Sequence, residues 1–232
     1  MNISVIVVVL NGERFLAEAL QSIGAQEFPS LDIIVVDGGS CDRSIAIAQS
    51  FPGVRVIHQN GLGLASARNE GLQAVPANHL IAFLDADDLW EVDKLHIQTT
   101  YLKSHPDCEA VTGHLVRFAQ PGCIIPPQYY DGWLNRPVPA YTLSGFLIRP
   151  SAFRHVGDFN PVLTVGCDHD WFARTKDFGL SFRILPQIVL RKRIHENNLS
   201  RNLPVYQREL LMLTRQSLAR RIRDHLKPKA DS

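Results

Sequence analysis

Residues 79–90 read HLIAFLDADDLW: an apolar run, Leu80 to Leu84, leads straight into Asp85, Asp87 and Asp88. An unbroken apolar run of this length reads as a strand covered on both faces. The acids fall where that strand would leave its sheet. Three carboxylates at one strand end repel each other, and burial sharpens the repulsion. A bound cation relieves it, and carboxylate oxygens suit a hard ion, Mg²⁺ or Mn²⁺, whose other positions go to water and phosphate. In open α/β sheets ligands gather at the carboxyl ends of the strands. The cluster therefore reads as a metal–diphosphate site. A solvated acidic turn capping a helix that starts near Glu91 would have the same composition.

Upstream of this stretch, strands and helices alternate. ISVIVVVL (Ile3 to Leu10) is a β-branched run, and Asn11 is placed to cap a helix carrying Phe15, Leu16, Ala19, Leu20 and Ile23 on one face. LDIIVVD (Leu31 to Asp37) is a second strand ending in the turn GGS, with Asp42 placed to cap the next helix. VRVIH (Val54 to His58) is a third strand, and the helix LASARNEGLQAV follows a glycine-rich turn. LIAFLD is the fourth, followed by a helix through Lys94 and Leu95 to Leu102. This rhythm predicts an α/β fold with a mostly parallel central sheet flanked by helices and joined by right-handed crossovers.

After about residue 105 the alternation breaks. EAVTGHLVRF reads as a strand. Residues 119–140 hold five prolines together with Tyr129, Tyr130 and Trp133, so they read as a long loop of the kind that is often functional. TLSGFLIR reads as a short strand, PSAFRHVG as a short helix stopped by Gly157, and DHDWFARTKDFG as another helix. FRILPQIVLRKRI is strand-like with an interruption at Pro186. VYQRELLMLTRQSLARRIRDHL is an amphipathic helix with a basic face. One domain is expected over 1–232: a nucleotide-binding N-terminal half (1–105), a smaller, more irregular half that completes the site (106–203), and a C-terminal helix and tail (204–232).

Bulk composition narrows the partners. The 232 residues are 45% hydrophobic and 20% charged with a net charge of +1, so no bulk electrostatic case exists for nucleic acid. Cys41, Cys108, Cys123 and Cys167 share no metal-ligand spacing and read as free thiols in a reducing compartment. No apolar run has the length of a membrane span, and a strand beginning by Ile3 leaves no room for a signal peptide. The expected location is cytoplasmic, or peripheral at the inner membrane face.

Taken in order, SVIVVVLNGERFLAEALQSI, IIVVDGGSCDRS, GLASARNEGL, FLDADDLWEVDKL, SGFLIRPSAFRHVGDFN, CDHDWFARTKDFG and RIHENNLS resemble the motifs of the family 2 inverting glycosyltransferases over roughly Ile3 to Ser200. The resemblance implies the GT-A fold and transfer of a sugar from a nucleotide-activated donor to a hydroxyl acceptor, with a divalent cation and inversion at the anomeric carbon. The pathways it suggests are polysaccharide or glycoconjugate synthesis.

By resemblance, Asp85 and Asp87 are the DxD pair of a metal and nucleotide-sugar site, with Asp88 a third candidate metal ligand. A cation held there neutralises charge building on the leaving diphosphate. Asp37 stands where the family recognises the donor base; the family often has a second acid where this chain has Gly38, so a UDP-sugar is favoured only weakly. An Asp in DGGS also serves a turn by itself. Arg68 matches a basic residue that faces the nucleotide, though an arginine on a helix surface needs no such role. His195 and Asn198 belong to the segment facing the diphosphate, with His195 a further possible metal ligand and Ser200 beside them; Arg191 to Arg193 make this segment positive.

Asp168 is the candidate general base. It occupies the second position of an acid pair whose first member is here Cys167. Asp170 is the runner-up, and a plain helix cap is the ordinary alternative for Asp168. Gly145 matches a small residue that lets acceptor approach donor; a close-packed glycine would look alike. Trp90 and Trp171 read as packing residues, and Trp133 as packing or a sugar-stacking surface. Arg215, Arg220, Arg221 and Arg223 on the last helix suit a dimer contact, a solvated face or anionic lipid headgroups.

Gly61-Leu62-Gly63 starts like a dinucleotide motif, but Ser66 takes the last glycine position and the segment follows the third strand, not the first. Two other classes remain open. A sugar-nucleotidylyltransferase needs a glycine-rich basic loop after the first strand, where this chain has LNGERF. A non-catalytic nucleotide-sugar-binding module of the same fold needs no base, and the missing acid at Cys167 leaves it room.

Overall fold

The computed structural model describes residues 1–125, 132–198 and 203–226. The first half alternates as its sequence pattern requires: β1 (Ile3–Val9), α1 (Leu16–Gly24), β2 (Leu31–Asp37), α2 (Ser44–Gln49), β3 (Val54–His58), α3 (Gly63–Gln73) and β4 (Leu80–Asp85). β3, β2, β1 and β4 lie side by side in that order and all are parallel. Alternate residues of each strand supply two separate cores. Val5, Val7, Leu80, Ala82 and Leu84 face α1, whose Leu16, Ala19, Leu20 and Ile23 are buried against them. Ile6, Ile34, Ile81 and Phe83 face α3 on the other side. Burial on both faces is why these strands read as continuous apolar runs.

The second half extends the same sheet. It contains β5 (Leu89–Trp90), α4 (Lys94–Ser104), β6 (Ala110–Ala119), β7 (Val138–Pro139), β8 (Leu147–Ile148), α5 (Pro150–Val156), α6 (Cys167–Asp177), β9 (Phe182–Ile194) and α7 (Leu203–Leu226). β8 pairs antiparallel with both β4 and β6, β9 runs parallel to β6, and β5 closes the edge antiparallel to β9. The nine-stranded sheet is thus mixed, parallel through its first four strands and part antiparallel beyond them.

Four local expectations change. Asn11 does not cap α1: it sits at φ 52°, its side chain accepts from Cys41 N–H at 2.8 Å, and α1 starts only at Leu16. TLSGFLIR is not one strand; Leu143–Gly145 forms a 3₁₀ turn and only Leu147–Ile148 pairs. Buried side chains hold that turn. Gln98 donates to Gly145 O at 2.7 Å, and the buried Lys94 donates to Gln98 at 2.6 Å and Phe146 O at 3.3 Å. β5 follows Asp88 directly, and the next helix, α4, starts only at Lys94 and not near Glu91. Pro186 does not break β9, because the β6–β9 register shifts around Gly113 and His114 absorb the missing N–H.

Candidate active site

The acids meet where the topology switches. β1 has β2 on one side and β4 on the other, with Val9 opposite Asp37 and Val8 opposite Asp85. Asp37 and Asp85 therefore stand at one carboxyl edge, two strand spacings or about 10 Å apart, at the position where open sheets bind ligands. Asp37 is buried and accepts from the N–H groups of Gly39 at 3.0 Å and Ser40 at 3.1 Å, so its carboxylate organises the DGGS turn.

Asp85, Asp87 and Asp88 each bring a carboxylate oxygen within 4.8 Å of the others. They differ in environment. Asp88 is fully buried: Arg193 N–H donates to one oxygen at 2.9 Å and Lys192 Nζ to the other at 3.0 Å. Burial raises the Asp88 pKa and the negative charges of Asp87 and Asp85 add to that, against the pull of Lys192. For Lys192, burial acts downward, but the three acids hold its pKa well above the ordinary lysine value. Asp87 accepts from His195 Nε2 at 2.9 Å and Asn198 Nδ2 at 3.1 Å, both on Oδ2. Burial acts to raise the Asp87 pKa, and the His195 hydrogen bond with the Lys192 charge lowers it further than burial lifts it. Asp85 is 30% exposed; Ser144 Oγ accepts its backbone N–H at 3.1 Å. That contact explains why the 3₁₀ turn is fixed from below.

The donor set suits a hard divalent ion: oxygens only, close together, with Asp85 and Asp87 partly open to solvent. Asp88 is sealed from solvent, whereas Asp85 and Asp87 keep an exposed side, which makes these two the residues able to hold such an ion. His195 Nδ1 accepts from Asn197 N–H at 3.2 Å, which leaves Nε2 as the proton-bearing nitrogen that donates to Asp87. In this arrangement His195 steadies Asp87.

Arg68 joins the two halves. Only 3% exposed, it donates Nη1 to Asp168 Oδ1, Nη1 to Cys167 Sγ at 3.0 Å and Nη2 to Asp85 Oδ1 at 3.2 Å. Burial acts against its charge, but the carboxylates of Asp168 and Asp85 hold its pKa above the ordinary arginine value. Burial pushes the Cys167 thiol up to about 12, so Cys167 remains a neutral neighbour of Asp168. Asp170 faces elsewhere: it is buried and paired with Arg174 at 2.9 Å, and Arg174 donates to the carbonyls of Val156 and Asp158.

The remaining sequence candidates divide. Gly145 is buried, and a Cβ there would stand 2.7 Å from Ala140 Cβ and 2.8 Å from Thr112 Oγ1, so packing alone requires glycine. Trp90 and Trp171 are buried. Trp133 is 43% exposed with the Arg117 guanidinium 5.2 Å from its ring centroid. Tyr129, Tyr130 and Ser200, and the side chains of Arg221 and Arg223, lie outside the described residues.

Three contributors were not singled out by sequence. Lys192 and Arg193 were part of a basic run, and strand periodicity alone gives no partner. Arg193 donates to Asp87 O at 2.9 Å, Gln120 at 2.7 Å and Glu18 at 2.8 Å, tying the acidic turn to α1. Glu209 of α7 is buried and accepts from Thr164, Val165 and Gly166 N–H at 2.7, 3.0 and 2.7 Å. It fixes the entry to α6, which carries Asp168. An acid on a basic helix carries no sequence signal for this.

GlyA, a glycosyltransferase of Streptococcus pneumoniae, is 38% identical over 105 residues, 44% of this chain and 15% of that protein. Among solved structures, Staphylococcus aureus TarS 1-349 in complex with UDP-GlcNAc superposes with a TM-score of 0.68 at 19% identity, over 85% of this chain and 60% of that one. The mannosyltransferase PcManGT of Pyrobaculum calidifontis, in complex with GDP-Man and Mn²⁺, gives a TM-score of 0.70 at 18% identity, over 94% of this chain and 64% of that one. The chain thus spans a small part of GlyA and under two thirds of either solved chain. These structures establish the GT-A fold. The sequence model of glycosyl transferase family 2 matches residues 4–157. That stretch holds β1 to β4, the acidic cluster and Arg68, and on it the chain belongs to glycosyl transferase family 2.

Proposed function

We propose that this chain transfers a sugar from a nucleotide-sugar to a hydroxyl acceptor with inversion at the anomeric carbon. The observation that carries the proposal is the single constellation in which Arg68 links Asp85 of the acidic cluster to Asp168 on α6. Family membership and the donors held by the two structural neighbours support it.

The donor base lies toward Asp37 and the diphosphate toward Asp85 and Asp87. Asp85 and Asp87 would hold a divalent ion, Mn²⁺ or Mg²⁺, which would supply charge neutralisation to the leaving diphosphate. Asp168, 16% exposed and oriented by Arg68, takes the acceptor hydroxyl proton as the oxygen attacks the anomeric carbon. The new C–O bond forms as the bond to the diphosphate breaks, and the nucleoside diphosphate leaves with the electron pair. One displacement inverts the centre. The donor half (1–105) and acceptor half (106–203) divide the work, with the proline-rich loop and Trp133 on the acceptor side. Polysaccharide or glycoconjugate synthesis is the setting this chemistry fits.

The exposed side of α7 carries Leu210, Leu211, Leu218 and Ile222 beside the exposed Arg208 and Arg215. No helix among the described residues is long and apolar enough to cross a membrane. Apolar side chains interleaved with arginine fit an anionic membrane surface, and four free cysteines fit its reducing, cytoplasmic side. Co-sedimentation with anionic but not neutral vesicles is the expected result. Dimerisation through α7 without vesicle binding would replace that part.

The deciding experiment is a thermal-shift panel of UDP- and GDP-sugars with and without Mn²⁺, followed by release of free nucleotide. Binding raises apparent stability, and release of UDP or GDP marks an enzyme. Binding without release would favour the non-catalytic module.

A further inference from the structure

Among the described residues, Asp85, Asp87 and Asp88 face one side-chain ammonium that is not shared with a distant acid. The Arg68 guanidinium is divided between Asp85 and Asp168, and that of Arg193 goes to Glu18. Lys192 Nζ lies 3.0 Å from Asp88 Oδ2 and 3.5 Å from Asp85 Oδ2. An ammonium has three N–H donors. One donates to Asp88 Oδ2, the Asp85 carboxylate lies at ion-pair distance, and no further acceptor is found among the described residues. The side chain is 27% exposed, so it reaches the open side of the cluster, where Asp85 and Asp87 are also partly exposed.

We propose that Lys192 is a built-in cation of the acidic cluster, holding Asp85 and Asp88 without a divalent ion and offering its remaining donor to a nucleoside diphosphate. The inference rests on the nucleotide-sugar reading of the site. It deepens that reading: donor recognition has a component that needs no metal. Two consequences have opposite signs. A permanent positive charge beside Asp85 opposes an incoming divalent ion, and the same charge attracts a diphosphate. Lys192 thereby weakens metal binding to the empty site and strengthens nucleotide binding in the absence of metal. A lysine that served packing alone would not split these two affinities.

The test uses the full chain with two variants, Lys192→Gln and Lys192→Arg. UDP and GDP are titrated by calorimetry in EDTA, and Mn²⁺ alone is titrated by the loss of the free-ion electron paramagnetic resonance signal. The wild type is expected to bind UDP or GDP in EDTA. K192Q should weaken that binding by about tenfold or more, the scale of a lost charge-assisted hydrogen bond. K192R, which keeps the charge, should retain most of it. K192Q should also bind Mn²⁺ severalfold more tightly in the absence of nucleotide.

Equal nucleotide affinity of K192Q and wild type in EDTA would overturn the proposal. So would loss of Mn²⁺ affinity in K192Q, since damage to the fold weakens both ligands together. A wild type that binds nucleotide in Mn²⁺ but not in EDTA overturns it as well. A wild type that binds neither UDP nor GDP even with Mn²⁺ sinks the nucleotide-sugar reading instead, and the Mn²⁺ titration then decides the role of Lys192 by itself.

Discussion

Arg68 and Asp168 lie 100 positions apart in sequence and form a nearly buried ion pair. The same guanidinium reaches Asp85 at 3.2 Å. One side chain thus fixes the spacing between the acid proposed to accept a proton and the acid proposed to hold the leaving group's cation.

Replacing Asp168 by Asn removes the proton acceptor while keeping shape. Transfer should fall by about 10²-fold or more, the scale of a lost general base, with UDP- or GDP-sugar affinity near wild type. Turnover close to wild type would move the base elsewhere. Asp170 is not the natural substitute, because Arg174 already occupies it.

Arg68→Met strands Asp168 beside a buried thiol. Breaking a buried ion pair by deleting one partner costs about 3–5 kcal/mol, which urea unfolding would register. Arg68→Lys keeps a charge but not the fork that spans two carboxylates. It should recover most of the stability and little of the turnover. Full activity in R68K would show that spacing between Asp85 and Asp168 is not set by this residue.

Asp87→Ala removes one of the two acids left to hold a cation. The Mn²⁺-dependent part of donor binding should disappear. An unchanged UDP- or GDP-sugar titration in Mn²⁺ would refute the metal role. His195→Asn should do less damage, since His195 acts through its hydrogen bond to Asp87.

Glu209 gives a prediction in pH. Burial acts to raise its pKa, but three backbone N–H bonds outweigh burial and lower it below 4.5. A carboxylate with a depressed folded pKa stabilises the fold above its unfolded value and loses that contribution as pH falls through the folded value. Glu209→Gln should therefore lower Tm at neutral pH, and the gap to wild type should narrow below about pH 4.5. A gap independent of pH would remove Glu209 from the ionised state assigned to it.

The parallel half was legible because both faces of its strands are buried, which leaves continuous apolar runs that periodicity detects. β1 to β4 come out within a residue or two of their sequence limits. The irregular half was less legible. The turn Leu143–Gly145 is held by Gln98 and Lys94 from a distant helix, and β5 forms only because β9 is there to pair with it. Asn11 was misplaced for the same reason: its partner is Cys41 N–H, thirty residues on.

The sequence alone determined the family and the α/β order of the first half, and it picked out the acidic cluster, because each is read from short motifs whose residues are close together in the chain. What only the tertiary structure decided is which charges meet. Asp88 is sealed by Lys192 and Arg193, Asp168 is held by Arg68, and Glu209 supports the entry to α6. These pairings join residues from 43 to 105 positions apart. Coulomb energy depends on distance in space and on burial, and neither is written in the spacing of residues along the chain.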